Sequence, residues 1–233
     1  MKDRVEARLW AEVAAGRGGL WVRRFRGATE KRAALLAELA RRIAACRRCP
    51  LGGRRRNPVP GEGNPNADLV FVGEAPGYEE DQQGRPFVGP AGQLLTRMIE
   101  AMGLRREEVF IANVLKCRPP GNRDPEPAEI AACRPFLEEQ LQIIRPRVII
   151  TLGAHAARWF LGPGARISQV RGRAVDVEDF QIVPTFHPSY LLRRPDQKRK
   201  AWADLQVAMK LLGLPLPPPR RAQSRENRAQ EGS

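Results

Sequence analysis

Three polar residues that could carry acid–base or hydrogen-bond chemistry each stand at the end of a predicted strand: Glu74, Asn113 and His187. The apolar run of residues 69–72 predicts a parallel strand buried on both faces. In open α/β sheets, ligands bind in the crevice at the carboxyl ends of the strands. We therefore expect these three side chains, which are far apart in the sequence, to meet in one cleft.

Four cysteines form a second candidate site. Cys46 and Cys49 are spaced as a CxxC pair, whereas Cys117 and Cys133 are single residues in distant segments. Zinc ribbons usually present two CxxC pairs, and one pair with two scattered thiolates is compatible with a four-iron, four-sulfur cluster. The spacing alone leaves zinc and an iron–sulfur cluster about equally open.

The elements that must position these residues alternate along the chain. Strands are predicted near residues 69–72, 109–114, 147–152 and 181–185, and helices over residues 29–45, 90–102, 127–144, 153–160 and 198–212. Such alternation predicts an α/β fold, here three α/β/α layers with a central four-stranded parallel sheet. Thr29 is the expected N-cap of the first helix.

Composition divides the chain into three parts. Residues 1–27 are basic and contain Gly16, Gly18 and Gly19, which predict an accessory extension without regular periodicity. Residues 28–213 are expected to form one domain. Residues 214–233, rich in proline and polar side chains, predict a flexible tail.

The net charge indicates a polyanionic partner. Lysine and arginine number 40 against 26 aspartate and glutamate, and only six of the 40 are lysine. Arginine suits phosphate recognition, although a coding bias towards arginine would give the same composition. No apolar run is long enough to span a membrane, and the N-terminus lacks a signal-peptide core. We expect a cytoplasmic protein whose cysteines are ligands rather than disulfides.

Four motifs in order carry a specific resemblance. The motifs are Gly73-Glu74-Ala75-Pro76-Gly77, the run GRPFVG from Gly84 to Gly89, Asn113 followed by Lys116-Cys117-Arg118-Pro119-Pro120, and His187-Pro188-Ser189. Together they resemble family 4 of the uracil-DNA glycosylases, the iron–sulfur branch, over roughly residues 45–212. The resemblance implies a monofunctional repair enzyme that hydrolyses the N-glycosidic bond of uracil in DNA, releasing free uracil and leaving an abasic site for base excision repair.

The resemblance also implies roles for single residues. Phe87 would stack on the extruded pyrimidine, and Asn113 would pair with uracil O4 and N3 while rejecting cytosine. His187 would donate a hydrogen bond to uracil O2 as the base departs with negative charge. Gly73 and Ala75 would line the substrate pocket.

The group that holds the attacking water is less directly implied. Better-known relatives carry an aspartate where this chain has Ala75, so their general base cannot be transferred. Glu74 is the first candidate carboxylate and Glu80 the second. His155, the only other histidine, is predicted to be structural.

The segment after His187 resembles the family's DNA-insertion loop. Ser189 would contact DNA, Arg193 and Arg194 would neutralise phosphate, and Leu191 or Leu192 would enter between base steps. The equally weighted alternative is that these leucines begin the last helix and face the core.

The spacing of the cysteines leaves zinc and an iron–sulfur cluster open, whereas the resemblance implies a four-iron, four-sulfur cluster. Its ligands would be Cys46, Cys49, Cys117 and Cys133. The implied partner is uracil-containing DNA, with no membrane contact and with the protein acting as a monomer. The alternative is an iron–sulfur protein that binds nucleic acid without catalysis. An enzyme that binds phosphate at the glycine-rich turn is disfavoured because neither GxxxxGK[ST] nor GxGxxG is present.

Overall fold

A mixed six-stranded sheet forms the centre of the protein. The computed structural model describes residues 18–217, with side chains from residue 29 onwards. The strands are β1 (Glu62–Gly63), β2 (Leu69–Gly73), β3 (Phe110–Asn113), β4 (Val148–Leu152), β5 (Val175–Val177) and β6 (Phe180–Thr185). Their order is β1-β3-β2-β4-β6-β5; β3, β2, β4 and β6 run parallel, while β1 and β5 pair antiparallel at the edges.

Helices cover this sheet and fill the connections. They are α1 (Gly18–Ala45), α2 (Leu51–Arg54), α3 (Tyr78–Gln83), α4 (Pro90–Ala101), α5 (Pro127–Ile144), α6 (Ala154–Leu161), α7 (Ile167–Val170), α8 (Pro188–Arg193) and α9 (Lys198–Leu212). Pro90 and Pro127 each occupy the first turn, where proline's missing N–H and fixed φ cost least. No helix within residues 18–217 is long and apolar enough to cross a membrane.

Alternate side chains of β2 point to opposite faces and bury two separate clusters. Leu69 and Phe71 pack with the apolar faces of α4 and α9, whereas Val70 and Val72 pack with α5 and α6. All four side chains are at most 2% exposed. The helices thus lie on both sides of the sheet, which confirms the predicted three-layer α/β/α class.

The predicted four-stranded sheet is incomplete, because the structure has six strands. The four predicted strands are the parallel ones, and the two additional edge strands have two and three residues. Segments this short are below the roughly four to eight residues over which alternation identifies a strand. Pairing with β3 and β6, rather than local sequence, determines them.

The first helix is longer than predicted. It begins at Gly18 rather than near Thr29, so Thr29 lies inside the helix and is not its N-cap. The Thr29 hydroxyl instead accepts a hydrogen bond of 2.7 Å from Asn66 Nδ2. Residues 18–27 of the predicted extension are therefore helical, while residues 1–17 and residues 218–233 of the predicted tail lie outside the described residues.

Candidate functional site

A cavity of about 520 Å³ lies at the carboxyl ends of the parallel strands. Its walls include Glu74 after β2, Asn113 at the end of β3 and His187 after β6. Phe87, from the loop between α3 and α4, lines the same space. The four residues predicted to act together therefore share one cavity.

The innermost part of this cavity depends on glycine. A Cβ atom at Gly73 would lie 2.4 Å from Asn113 Oδ1 and 2.5 Å from Phe87 Cζ. Phe87 is only 6% exposed and has a φ of 52°, an uncommon conformation for a bulky residue. Gly92 permits it, because a Cβ there would lie 1.9 Å from the Phe87 carbonyl oxygen. The fold thus holds the ring of Phe87 close to the Asn113 amide.

Asn113 carries an unused acceptor. The residue is 1% exposed, and its Oδ1 has no hydrogen-bond partner within the described residues. Leaving a buried acceptor unpaired costs about 1–3 kcal/mol. Since Asn113 lines the cavity, a ligand with an N–H group would satisfy this oxygen.

The hydrogen bonds of His187 define its tautomer. Its Nδ1 accepts a hydrogen bond of 3.1 Å from the Ser189 backbone N–H and lies 2.7 Å from Ser189 Oγ. A backbone N–H can only donate, so the proton of the neutral imidazole resides on Nε2. Burial, assisted by the positive charge of Arg193, lowers the pKa of His187 to about 4. His187 is therefore a neutral donor through Nε2 at physiological pH.

The ring of His187 also contacts the aromatic wall. The centroids of His187 and Phe87 are 5.7 Å apart, with the planes tilted by 34°. This distance is typical of paired rings. The stacking surface and the Nε2 donor are consequently held in one fixed relation to each other.

Glu74 lies beside a histidine that was predicted to be structural. His155 Nε2 is 3.9 Å from Glu74 Oε2 and 3.5 Å from Asp124 Oδ2. His155 lies in the predicted helix after β4 and also lines the cavity, and its structural role stays a prediction. Its position shortly after β4 could have indicated that it lines the cavity, by the same edge-of-sheet rule that identified Glu74. Burial raises the pKa of Glu74; His155 opposes this shift and Asp124 adds to it.

Glu80 lies in the cavity wall, but its carboxylate is already engaged. Oε1 accepts hydrogen bonds from the backbone N–H groups of Val88 (2.9 Å) and Gly89 (3.0 Å), and Oε2 accepts one from Gly77 (3.1 Å). These contacts join the turn before α3 to the end of the loop that carries Phe87. The geometry favours Glu74 over Glu80 as the carboxylate free to hold water.

The two leucines of the predicted insertion segment have opposite environments. Residues 188–193 form helix α8, not an open loop. Leu191 is 1% exposed and belongs to the core, whereas Leu192 is 39% exposed. The predicted wedge role of Leu191 is therefore wrong, and Leu192 is the residue available for it. Ser189 and Arg193 line the mouth of the cavity.

Ala75, the second residue predicted to line the pocket, also borders the cavity, and its methyl group packs partly against the cluster formed around the cysteines. No carboxylate stands at that position. The immediate neighbour, Glu74, is a carboxylate that lines the same cavity.

The four cysteines converge on one small pocket between α1, α5 and the loop after β3. Cys46, Cys49, Cys117 and Cys133 line it together with the apolar side chains of Ile43 and Phe136. Burial raises the pKa of the Cys133 thiol to about 11 and also raises that of Cys117. A bound metal centre would hold both as thiolates.

Two hydrogen-bond donors already point at these sulfurs. Arg55 Nη1 donates to Cys117 Sγ at 2.9 Å, and the Lys116 backbone N–H donates to Cys133 Sγ at 3.3 Å. Donors of this kind accompany thiolate ligands in iron–sulfur sites. The donor set, four sulfurs with two N–H groups aimed at them, therefore fits a thiolate-ligated metal group.

Lys116 is buried next to this pocket. Its side chain is 1% exposed, and burial lowers its pKa to about 8, while the charges of Cys133 and Cys117 act in the opposite direction. Nζ donates to the Asn113 carbonyl oxygen at 2.8 Å and to Gln140 Oε1 at 2.6 Å. Lys116 thus connects the cysteine pocket to the strand that ends at Asn113.

Comparison with known proteins gives one consistent family. The model of the uracil DNA glycosylase superfamily matches residues 60–206. The chain is 44% identical to the type-4 uracil-DNA glycosylase of Archaeoglobus fulgidus over 190 residues, which cover 78% of this chain and 96% of the relative.

Two further relatives agree. The type-4 uracil-DNA glycosylase of Thermotoga maritima is 52% identical over 161 residues, covering 68% of this chain and 84% of the relative. The type-4 enzyme of Sulfurisphaera tokodaii is 43% identical over 189 residues, covering 77% and 86%. The residues matched by the family model include Glu74, Phe87, Asn113 and His187 of the cavity.

Proposed function

This chain belongs to the uracil-DNA glycosylase superfamily, in its type-4 branch, and from that premise we propose that it removes uracil from DNA by hydrolysing the N-glycosidic bond. The products are free uracil and an abasic site. The observation that carries this proposal is the shared cavity of Glu74, Phe87, Asn113 and His187. A glycosylase needs such a pocket because it extracts its target base from the helical stack.

Recognition of uracil is assigned to Phe87 and Asn113. The Phe87 ring supplies the stacking surface, worth about 1–3 kcal/mol per base. The unpaired Asn113 Oδ1 accepts the N3–H of uracil, and the amide nitrogen donates to O4. Cytosine presents an unprotonated N3 and an amino group at these positions, so it opposes the amide with the wrong donors and acceptors.

Bond cleavage transfers the electron pair of the glycosidic bond to the departing base. Negative charge then develops on uracil O2, and we assign its stabilisation to His187 Nε2–H. The Ser189 backbone N–H fixes this tautomer before substrate binds. A preorganised donor of this kind needs no rearrangement during the reaction.

The sugar left behind acquires oxocarbenium character and must gain a water molecule. Glu74 is the carboxylate that supports this cation and orients the water, because both oxygens of Glu80 already accept backbone hydrogen bonds. The position of Ala75 is consistent with this assignment, since it contributes no competing carboxylate.

Replacing Glu74 with glutamine is expected to lower the single-turnover rate of uracil release by about 10²-fold, within the usual range for a positioned acid–base group. The raised pKa of Glu74 places the acidic limb of the wild-type rate profile above the ordinary glutamate value. The active carboxylate is lost as the pH falls through that pKa, so the rate falls with it. The measurement is the rate of base release from about pH 4 to about pH 8, a span that covers the titration of a shifted carboxyl group.

Two variants test this origin of the acidic limb. In Glu74→Gln the limb should disappear. In His155→Gln it should move to higher pH, because His155 lowers the pKa of Glu74. A wild-type limb that persists unchanged in Glu74→Gln would assign it to another group.

A uracil-containing oligonucleotide tests the function directly. Release of free uracil with formation of alkali-labile sites supports the enzyme, whereas retarded mobility without product supports the alternative, a binding protein without catalysis. Substrates with uracil opposite guanine, opposite adenine and in a single strand would define the preferred context. The proposed setting is the cytoplasm, and the monomeric state stays a prediction.

The cysteine pocket is proposed to hold a four-iron, four-sulfur cluster. A tetrahedral zinc ion with Zn–S bonds of about 2.3 Å would bring thiolates to about 3.8 Å from one another. Within the described residues, the cysteine Sγ atoms do not form a group of three within 4.8 Å of one another, a separation that favours a larger centre. Iron and sulfide contents of about four per chain would support the cluster, and stoichiometric zinc would contradict it.

Contacts with the DNA backbone are assigned to Ser189 and Arg193 at the mouth of the cavity, and the wedge role is assigned to Leu192. Leu192→Ala is expected to leave the free energy of unfolding within about 0.5 kcal/mol of wild type. It should lower activity on double-stranded uracil DNA by about tenfold, because inserted apolar side chains offset the cost of unstacking. Single-stranded substrate should be affected less.

Leu191→Ala is the matched control for this prediction. Its side chain is in the core, so the variant should lose about 2–5 kcal/mol of stability without a preference for one substrate form. Thermal or denaturant unfolding and the ratio of the rates on the two substrates are the measurements. An equal ratio for Leu192→Ala and wild type would remove the wedge assignment.

A further inference from the structure

Lys116 is a buried positive charge that has no carboxylate partner among the residues that the structure describes. Its two hydrogen-bond acceptors, the Asn113 carbonyl oxygen and Gln140 Oε1, are both neutral. Its own backbone N–H donates to Cys133 Sγ at 3.3 Å, and Cys117 is the next residue in the chain. A buried ammonium is costly unless it is paired. The cysteine pocket is therefore the natural source of its counter-charge.

The contacts of Lys116 run in two directions. Its backbone N–H donates to Cys133 Sγ, and the next residue, Cys117, supplies another sulfur of the pocket. Its side chain turns back to the carbonyl group of Asn113, the residue whose Oδ1 lines the cavity without a partner. A single residue thus contacts both the metal-ligand set and the base-reading strand end.

Two further hydrogen bonds hold the chain around Lys116 in place. Lys116 itself makes the direct contacts to both Cys133 and Asn113. The Lys116 carbonyl oxygen accepts a hydrogen bond from the Val59 N–H at 2.8 Å, and Gln140 Nε2 donates to the Pro60 carbonyl oxygen at 2.6 Å. The Asn113 backbone also pairs with Gly73 of β2, and the Lys116 ammonium adds a direct contact to the Asn113 carbonyl oxygen. Through this contact, a displacement of the ammonium would act on the residue that carries the cavity-lining amide.

We propose that Lys116 is a positioning residue that couples the metal group held by the cysteines to uracil recognition by Asn113. This inference rests on the proposed function. The thiolates of the loaded pocket balance the ammonium, which then holds the Asn113 carbonyl and sets the direction of the amide. Loss of the metal group removes that balance and weakens the reading of uracil.

The test compares Lys116→Met, which has similar length but no charge, with wild type. Each protein is prepared with its metal group and after removal by an iron chelator under anaerobic conditions, and circular dichroism verifies that it is folded. The readout is binding of an oligonucleotide with a hydrolysis-resistant 2′-fluoro-deoxyuridine, relative to the same oligonucleotide with cytosine. Lys210→Met, at an exposed position on α9, is the matched control.

Loaded Lys116→Met is expected to lose about tenfold of the uracil preference, a coupling that is common between members of one hydrogen-bond network. In wild type and Lys210→Met, metal removal should lower the uracil preference by about the same factor as the Lys116→Met substitution does. In Lys116→Met, metal removal should cause little additional loss. The coupling would be refuted if the losses caused by the substitution and by metal removal multiplied in the metal-free variant. It would also be refuted if loaded Lys116→Met kept the uracil preference of wild type.

A second variant applies if Lys116→Met does not fold. Lys116→Gln removes the charge and keeps an N–H donor; its uracil preference should be reduced when loaded and insensitive to metal removal. A wild-type response of Lys116→Gln in both states would contradict the proposal. Failure of the proposed function and failure of the coupling give different results. A wild type that releases no uracil refutes the function. An active wild type with an unaffected Lys116 variant refutes only the coupling.

Discussion

Replacing His187 with alanine is expected to lower the single-turnover rate of uracil release by about 10²–10³-fold, the usual loss when one preorganised donor to a developing anion is removed. The effect should appear in the chemical step, since the charge on uracil O2 develops only as the glycosidic bond breaks. Binding of a hydrolysis-resistant uracil oligonucleotide should weaken far less. The measurements are the rate under saturating enzyme and the dissociation constant of that analogue.

Ser189→Ala is the informative companion variant. It removes the hydroxyl that lies 2.7 Å from His187 Nδ1 but keeps the backbone N–H that fixes the tautomer. We expect a loss of less than about tenfold, the range of one neutral hydrogen bond. A loss equal to that of His187→Ala would mean that the hydroxyl, rather than the backbone, controls the imidazole.

The pH dependence separates His187 from Glu74. Because its pKa is lowered to about 4, His187 stays neutral through the physiological range. It should produce no rate change near the ordinary histidine pKa of about 6.5. Glu74, whose pKa is raised, accounts for the acidic limb. A limb near the ordinary histidine value that disappears in His187→Ala would contradict the neutral-donor assignment.

The convergence of Glu74, Asn113 and His187 could be predicted from the sequence, because each follows an apolar run that is long enough to identify a parallel strand. Parallel strands end at one edge, so topology alone brings such residues together. The same reasoning applied to β4 would have placed His155 near Glu74. Its location inside a predicted helix concealed that it belongs to the first turn after a strand.

Where two residues of the same type lie close together in the sequence, the sequence alone could not predict which one has the functional role. Leu191 and Leu192 are chemically identical, and only the packing of α8 against the core decides which one is exposed. Glu74 and Glu80 are also of one residue type, and only the hydrogen bonds that each carboxylate accepts distinguish them. The backbone N–H groups that occupy Glu80 come from residues 77, 88 and 89, and their convergence is a tertiary property. Edge strands β1 and β5 likewise depend on their partners rather than on local pattern.

Asn113→Ala is expected to give the other large loss, about 10²–10⁴ in kcat/KM for uracil DNA, because two hydrogen bonds to the base are removed and each buried group left unpaired costs about 1–3 kcal/mol. The loss should affect binding of the base as well as the rate. This separates it from His187→Ala, for which analogue binding is largely retained. Uracil release and analogue binding by the same preparation measure both.

The control is Asn122→Gly, which removes an amide from the mouth of the same cavity at a position with a φ of 55° that glycine adopts readily. Asn122 accepts a hydrogen bond from Arg118 Nε and has no assigned contact with the base, so its loss should be less than about tenfold. Asn113→Ala should also narrow the difference in binding between uracil and cytosine oligonucleotides. If both affinities fell equally, Asn113 would support the shape of the pocket without reading the base, and the unpaired Oδ1 would need another ligand.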